Sequence, residues 1–424
     1  MLGRLIVLAL ATALSLPAVS VSVGGSARAA DANSVEVLHF WTSGGEAAAL
    51  NILRKKLESE GIGWHDMPVA GGGGEAAMTV LRARVTAGDP PTAVQMQGFE
   101  ITDWAVQGKL ADLTELAKKE GYDKVIPPAV QKFSTYQGKW VAVPVGIHSS
   151  SWVWASKKLF DQLHLAPPTD WNGLVAALDA IKKAGYVALA VGGQPWQESD
   201  IFDNLVLSTG GPDFYRKALV ELDPAALGGA QMKTVFERLK ILASYADANN
   251  AGRDWNLATA MVITDKAGMQ IMGDWAKGEF KNAKKKAGED FLCFRFPGTA
   301  GDVIFNSDQF VMFNVGAQYR PAQLKLAAAV EDPVFQAGFN QVKGSVPART
   351  DISDAGFDPC GQQGIKDIKA ASAANTLLGS MTHGHAAPTA VKQAMYDVIT
   401  AAFTGQYDPS RATAELVKAV AAAK

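Results

Sequence analysis

The sequence predicts an α/β chain folded as two lobes. Three observations carry this. Residues 35–97 read as strand, helix, strand, helix, strand. The same rhythm returns between residues 152 and 191. No low-complexity linker and no fixed-period repeat lies between or after these stretches, so short crossovers must join the halves.

Val35 to Trp41 is β-rich and runs into Thr42-Ser43-Gly44-Gly45, a strand leading to a helix start. Glu46 to Glu60 then reads as a helix with Leu50, Leu53 and Leu57 on one face. Ile62 to Val69 is a second strand, and Glu75 to Ala87 a second helix after Gly71 to Gly74. Thr92 to Gln97 is a third strand, which implies a mainly parallel sheet. Trp152 to Ser156 and Tyr186 to Val191 read as strands around a helix from Trp171 to Ala184, capped by Thr169 or Asp170. Met269 to Met272 is a further strand, with a helix from Asp274. Pro333 to Val342 reads as an amphipathic helix. The last quarter is mostly helical, from Pro388 to Thr404 and from Pro409 to Ala423. Clefts between such lobes are where small ligands bind.

Composition narrows the partners. The chain has 424 residues, enough for two to three domains, and 48% of it is hydrophobic. A net charge of −2 argues against a nucleic-acid partner, which needs a basic surface. Ten Trp are many for a chain that is 8% aromatic, and stacking on a ligand is one use for them.

The first 29 residues read as a secretory signal peptide. Arg4 precedes an apolar run from Leu5 to Val23, and Ala27-Arg28-Ala29 is the small-x-small cleavage pattern. The alternative is a single membrane anchor; Ser15, Pro17, Ser20 and the cleavage pattern argue against it. A soluble, exported, periplasmic protein is expected. Export bears on Cys293 and Cys360, the two cysteines of the chain. In an oxidising compartment two such residues most often pair, the alternative being two buried free thiols. They are too few for a structural zinc site.

Motifs for chemistry are few. Gly71-Gly72-Gly73-Gly74-Glu75 precedes a helix but lacks both the Gly-Lys-Ser/Thr ending of a P-loop and a Gly-x-Gly-x-x-Gly pattern. It reads as a turn that lets backbone approach a ligand or the next strand. There is no Gly-x-Ser-x-Gly elbow. His383-Gly384-His385 would put two imidazoles on one face of an extended stretch, but no motif supplies a third ligand. No metal, no cofactor and no catalytic residue is expected.

Several segments resemble the extracellular sugar-binding proteins of bacterial ABC transporters, in particular the glucose/mannose-binding branch. They are Val37 to Glu46, Gly71 to Met78, Met272-Gly273-Asp274-Trp275-Ala276, Lys343-Gly344-Ser345-Val346-Pro347-Ala348-Arg349 and Ser380 to Gly384. They run in the expected order across essentially the whole chain after the signal. The resemblance implies a type II periplasmic-binding-protein fold, with two discontinuous lobes, a hinge and an interlobe ligand cleft. It places residues 30–144 and 302–349 in an N-terminal lobe. Residues 145–301 and 350–424 form the C-terminal lobe. The chain would leave the first lobe near Pro144, return near Asp302 and leave again after Arg349.

The resemblance also implies site residues. A pyranose offers apolar C–H faces that stack on aromatic rings, and hydroxyls best met by charged planar groups. Trp41, at the end of the first strand, resembles the family's stacking residue; the alternative is a core Trp. Phe40 stands where relatives often have a second Trp. Glu46 matches an acceptor of sugar hydroxyls; the alternative is a first-turn acid stabilised by the helix dipole. Gln95 matches a family contact, and Gln97 stands where His is frequent. Trp255, read here as lying in a polar loop, matches a second stacking residue from the other lobe. Trp275 is read as packing beneath the site. Asp308 matches a carboxylate that takes two sugar hydroxyls and is expected to pair with Lys343 when the cavity is empty. Lys343 and His383 match hydroxyl partners. His148 is a weaker candidate, and His385 the less favoured of its pair.

The leading function is therefore a receptor that captures a monosaccharide, glucose first and mannose or galactose next, and hands it to membrane permease subunits. A monomer is expected, and presentation to a chemoreceptor is compatible with it. An oligosaccharide receptor is the nearest alternative. A different class is an exported glycosidase using Glu46 and Asp308.

Overall fold

The computed structural model describes residues 31–424. The signal-peptide reading lies outside the described residues. Ten strands build the two main sheets: β1 Ser34–His39, β2 Gly63–Pro68, β3 Ala93–Gln97, β4 Ala142–Ser149, β5 Trp152–Ser156, β6 Val187–Leu189, β7 Ala267–Ile271, β8 Phe291–Arg295, β9 Val303–Met312 and β10 Leu377–Gly379. The first sheet runs β10-β9-β3-β1-β2, with β4 on the other side of β9. The second runs β8-β5-β7-β6.

The predicted parallel unit is present where it was read: β1 pairs in parallel with β2 and β3. The prediction fails for the long crossing strands. β9 runs antiparallel to both β3 and β4, and β5 runs antiparallel to β7 and β8. The cause is topological. A strand that returns from another lobe enters without a helical crossover of its own sheet, so nothing forces it parallel.

Local chemistry explains the first helix. Ser43 caps the helix Gly44–Ser59, accepting from the Glu46 N–H, while the Glu46 carboxylate accepts from the Ser43 N–H. This reciprocal box contributes about 1 kcal/mol. The predicted stripe of Leu50, Leu53 and Leu57 is buried, at about 2 kcal/mol for each side chain. The helix Trp171–Lys183 is capped by Asp170, one of the two candidates.

Each sheet carries its own core. One gathers Val37, Leu53, Val94, Phe310 and Phe339, the other Trp154, Phe202, Phe236, Met269 and Leu416. The chain passes between them at Ser150-Ser151, where β4 ends and β5 begins, later than Pro144. β8 of the second sheet is followed in sequence by β9 of the first. The helix Pro359–Ala373 buries Ile365, Ile368 and Ala371 in the first core, and β10 still pairs with β9.

The same helix is tied to the second sheet by a disulfide from Cys360 to Cys293 on β8, with Cα atoms 6.2 Å apart. It spans 67 residues of sequence, and loop-entropy models assign such a crosslink about 4 kcal/mol. Thiol titration of the denatured, unreduced protein should find no free thiol. Reduction should lower the unfolding midpoint, and an unchanged midpoint would make the bond energetically idle.

Candidate functional site

Between the lobes lies a cavity of at most about 270 Å³. The first lobe supplies Phe40, Trp41, Glu46, Gln97, Asp308 and Lys343 to its wall, and the second supplies Trp255, Trp275 and His383. His148, at the passage between lobes, completes the floor.

The strand ends do the positioning. Trp41 lies two residues beyond β1, at the edge where α/β sheets present ligands. Its ring also packs on Phe310 and Phe339, with centroids 5.8 and 5.4 Å away, so it is wall and core at once. Lys343 closes the helix Pro333–Lys343 and holds its ammonium 5.6 Å over the Trp41 ring.

Asp308 is the centre of the polar floor. Its Oδ1 accepts from Gln95 Nε2 at 2.9 Å and from Gln97 Nε2. Its Oδ2 accepts from His148 Nε2 at 3.0 Å. The other imidazole nitrogen, Nδ1, donates to Asp274 Oδ1 at 2.5 Å. Both nitrogens thus face carboxylates, an environment that calls for imidazolium. Burial alone pulls the His148 pKa down; the Asp274 charge and the two carboxylate hydrogen bonds outweigh it, so the net shift is upward. Burial likewise works against the Asp308 carboxylate, yet His148, Lys343 and Gln97 hold it well below the usual carboxylate range.

Lys343 does not pair with Asp308 as expected. Its Nζ lies 3.5 Å from Glu46 Oε1. Helix capping fixes that arrangement, because Glu46 Oε2 is committed to the Ser43 N–H and only Oε1 is turned to the cavity. The two roles weighed for Glu46 are therefore both present in one side chain. Burial pushes its carboxyl up, with Lys343 opposing.

Other expectations need correction. Trp255 is not in a loop: it opens the helix Trp255–Ile263 behind Asp254 and is 3% exposed. Gln95 is fully buried behind Asp308, with its Oε1 taken by the Phe40 N–H, and does not reach the wall. Three of the roughly four acceptor sites of the Asp308 carboxylate are occupied by protein donors, leaving one rather than two. Trp275 is part of the wall, edge-on to His148 and His383 at 5.3 and 5.2 Å. His383 and His385 sit in a turn, not on an extended stretch. His385 Nδ1 donates to the His383 carbonyl and its Nε2 accepts from the Ser307 N–H, which turns it away from the cavity.

Two residues went unread. Asn306 lines the cavity two positions before Asp308 on β9, a period-two neighbour that strand geometry puts on the same face. Asp274 lies inside a quoted motif, but its partner His148 is 126 residues away, which no local pattern reveals. Among the described residues, no group of three or more His, Cys, Asp or Glu is arranged to hold a metal.

Residues 66–333 match the family model for bacterial extracellular solute-binding proteins. A probable sugar-binding periplasmic protein of Rhizobium meliloti (strain 1021) is 60% identical over 399 residues, covering 94% of this chain and 96% of the relative. The chain belongs to the bacterial extracellular solute-binding proteins. It is a receptor rather than an enzyme, which sets the glycosidase alternative aside. Solved structures of similar shape include a chitin oligosaccharide binding protein, with a TM-score of 0.76 at 18% identity over 92% of this chain and 98% of that one. Another is a bacterial solute receptor described with an exclusive preference for β-D-galactopyranose, with a TM-score of 0.75 at 18% identity over 91% and 97% of the two chains. These solute-binding proteins share the two-lobed type II fold with the present chain. At this identity the likeness concerns the fold alone, and the ligands of those two proteins differ in size.

Proposed function

We propose that this solute-binding protein is the periplasmic sugar receptor of an ABC importer, capturing one monosaccharide between its lobes. The ligand is glucose first, with mannose or galactose next, and the loaded receptor hands it to membrane permease subunits. One observation favours a small ligand: side chains from both lobes converge on a single space of at most about 270 Å³. The wall chemistry agrees with a single ring. Trp41 and Trp255 offer aromatic faces from opposite lobes, while Glu46, Asp308, Lys343 and His383 offer a rim of acceptors and donors. Gln97 serves the same rim, and Gln95 and His148 hold Asp308 in place.

Because the two faces come from two lobes, full binding energy exists only in the closed form. A ligand shifts an equilibrium by its differential affinity for the two states. A calorimetric panel on the mature protein should therefore show monosaccharide binding far tighter than disaccharide binding. Saturating monosaccharide should shrink the radius of gyration in small-angle scattering. At a hundredfold excess over Kd it should stabilise the protein by about 2.7 kcal/mol. Tighter disaccharide binding would turn the assignment to an oligosaccharide receptor.

A further inference from the structure

The four-glycine run between β2 and the helix Glu75–Thr86 forms a strap one residue thick. Its residues face two different spaces. Gly72 lines the small cavity, whereas Gly71 and Gly73 line a larger groove of at most about 1,700 Å³. Glu75, Glu100, Trp196, Lys392 and Tyr396 complete that groove. The strap is thus the partition between the ligand cavity and a space large enough for more sugar rings.

The glycines are needed for closure against the other lobe. A Cβ on Gly72 would lie 2.6 Å from Trp255 Cδ1, 2.8 Å from its Nε1 and 3.0 Å from Trp196 Cζ2. All three atoms belong to second-lobe rings, and contacts below 3.0 Å force something to move. A Cβ on Gly73 would come within 2.8 Å of Trp196. Gly74 has φ +86°, left-handed backbone that favours glycine, and a Cβ there would meet Phe40 at 2.9 Å. The strap is pressed flat between Phe40 and the two tryptophans.

We infer that the Gly71–Gly74 strap is the specificity element of the receptor, a wall that stops a bound sugar from continuing into the larger groove. The inference rests on the monosaccharide reading and adds the residues that enforce it. Backbone is the only material thin enough to fill the gap when the lobes meet. Any side chain at Gly72 either holds the lobes apart or pushes the strap outward, and both join the cavity to the groove.

The test uses the mature protein and its Gly72→Ala variant, with glucose, mannose and galactose and the disaccharides maltose and cellobiose as probes. Monosaccharide affinity should fall at least tenfold, and the ratio of disaccharide to monosaccharide affinity should rise at least tenfold. The ligand-free melting temperature should stay at the wild-type value, because the clash exists only when the lobes meet. A variant with one glycine inserted between Gly72 and Gly73 loosens the wall without a clash, and its ratio should rise too. Gly338→Ala, in a helix with nothing near its Cβ, is the control and should match wild type. If wild type prefers monosaccharides but both strap variants keep its ratio, this inference falls and the receptor reading stands. If wild type itself prefers disaccharides, both fall.

Discussion

Asp308→Asn should weaken monosaccharide binding about thirtyfold and release the proton that His148 holds. The argument starts from the floor of the cavity. Asp308 Oδ2 accepts from His148 Nε2, and Oδ1 accepts from two glutamine amides. Asparagine keeps one oxygen and replaces the other with a donor. Every neighbour except the ligand already donates, so one pair must clash or reorganise. The cheapest relief is loss of the imidazolium proton, after which Nε2 accepts from the new amide and Nδ1 still donates to Asp274. The amide then has no second acceptor for a sugar hydroxyl, a loss of about 2 kcal/mol. Nuclear magnetic resonance should show the His148 pKa falling, since one of its two carboxylate partners is gone. The sign for stability follows from the raised pKa of the wild-type imidazole. Its contribution is fully present below about pH 6.5 and is lost as pH rises through the folded-state value. The variant should lose less stability over that upper window than wild type. A His148 titration unchanged by the substitution would separate Asp308 from the imidazole.

What could be read from sequence was what is local. A β-rich run followed by Thr42-Ser43-Gly44-Gly45 dictates a strand edge and a helix start, and the resemblance adds that Trp41 and Glu46 face the cleft. Gln97 and Asp308 came from the family resemblance, and the register puts them opposite each other. What was not legible depends on long-range pairing. Lys343 was assigned to Asp308, but Glu46 reaches it first because its second oxygen is held by the cap. The Asp274–His148–Asp308 bridge joins residues 126 and 160 positions apart, so His148 ranked below residues it in fact organises. Trp255 looked like a loop residue because its neighbours are polar. Asp254 is instead the residue before the helix, and the polar stretch is the helix start. The glycine run was recognised as close-approach backbone, but which rings approach it is decided only when the lobes meet.

Trp255→Ala should show the largest combined loss, and the two components can be measured apart. The ring is 3% exposed, belongs to the second core and also faces the cavity. Truncating a buried Trp in a packed core costs about 3–5 kcal/mol, so the ligand-free melting temperature should fall substantially. Removing the second aromatic face should cost sugar binding a further 1–3 kcal/mol or so, by analogy with ring stacking elsewhere. The first component is read from melting without sugar. The second is read from calorimetry at a temperature where the variant is still folded. Trp255→Phe separates them further, because a phenyl ring keeps an apolar face and much of the packing. Its affinity should lie between wild type and the Ala variant. The two roles oppose each other in one respect: a cavity left by the indole gives Gly72 room, so the strap can settle inward and the lobes still close. Scattering should therefore show ligand-induced compaction in the Ala variant at saturating sugar, with only the concentration needed for it raised. An Ala variant that melts early yet keeps the wild-type Kd would make Trp255 a core residue alone and leave Trp41 without an opposing face.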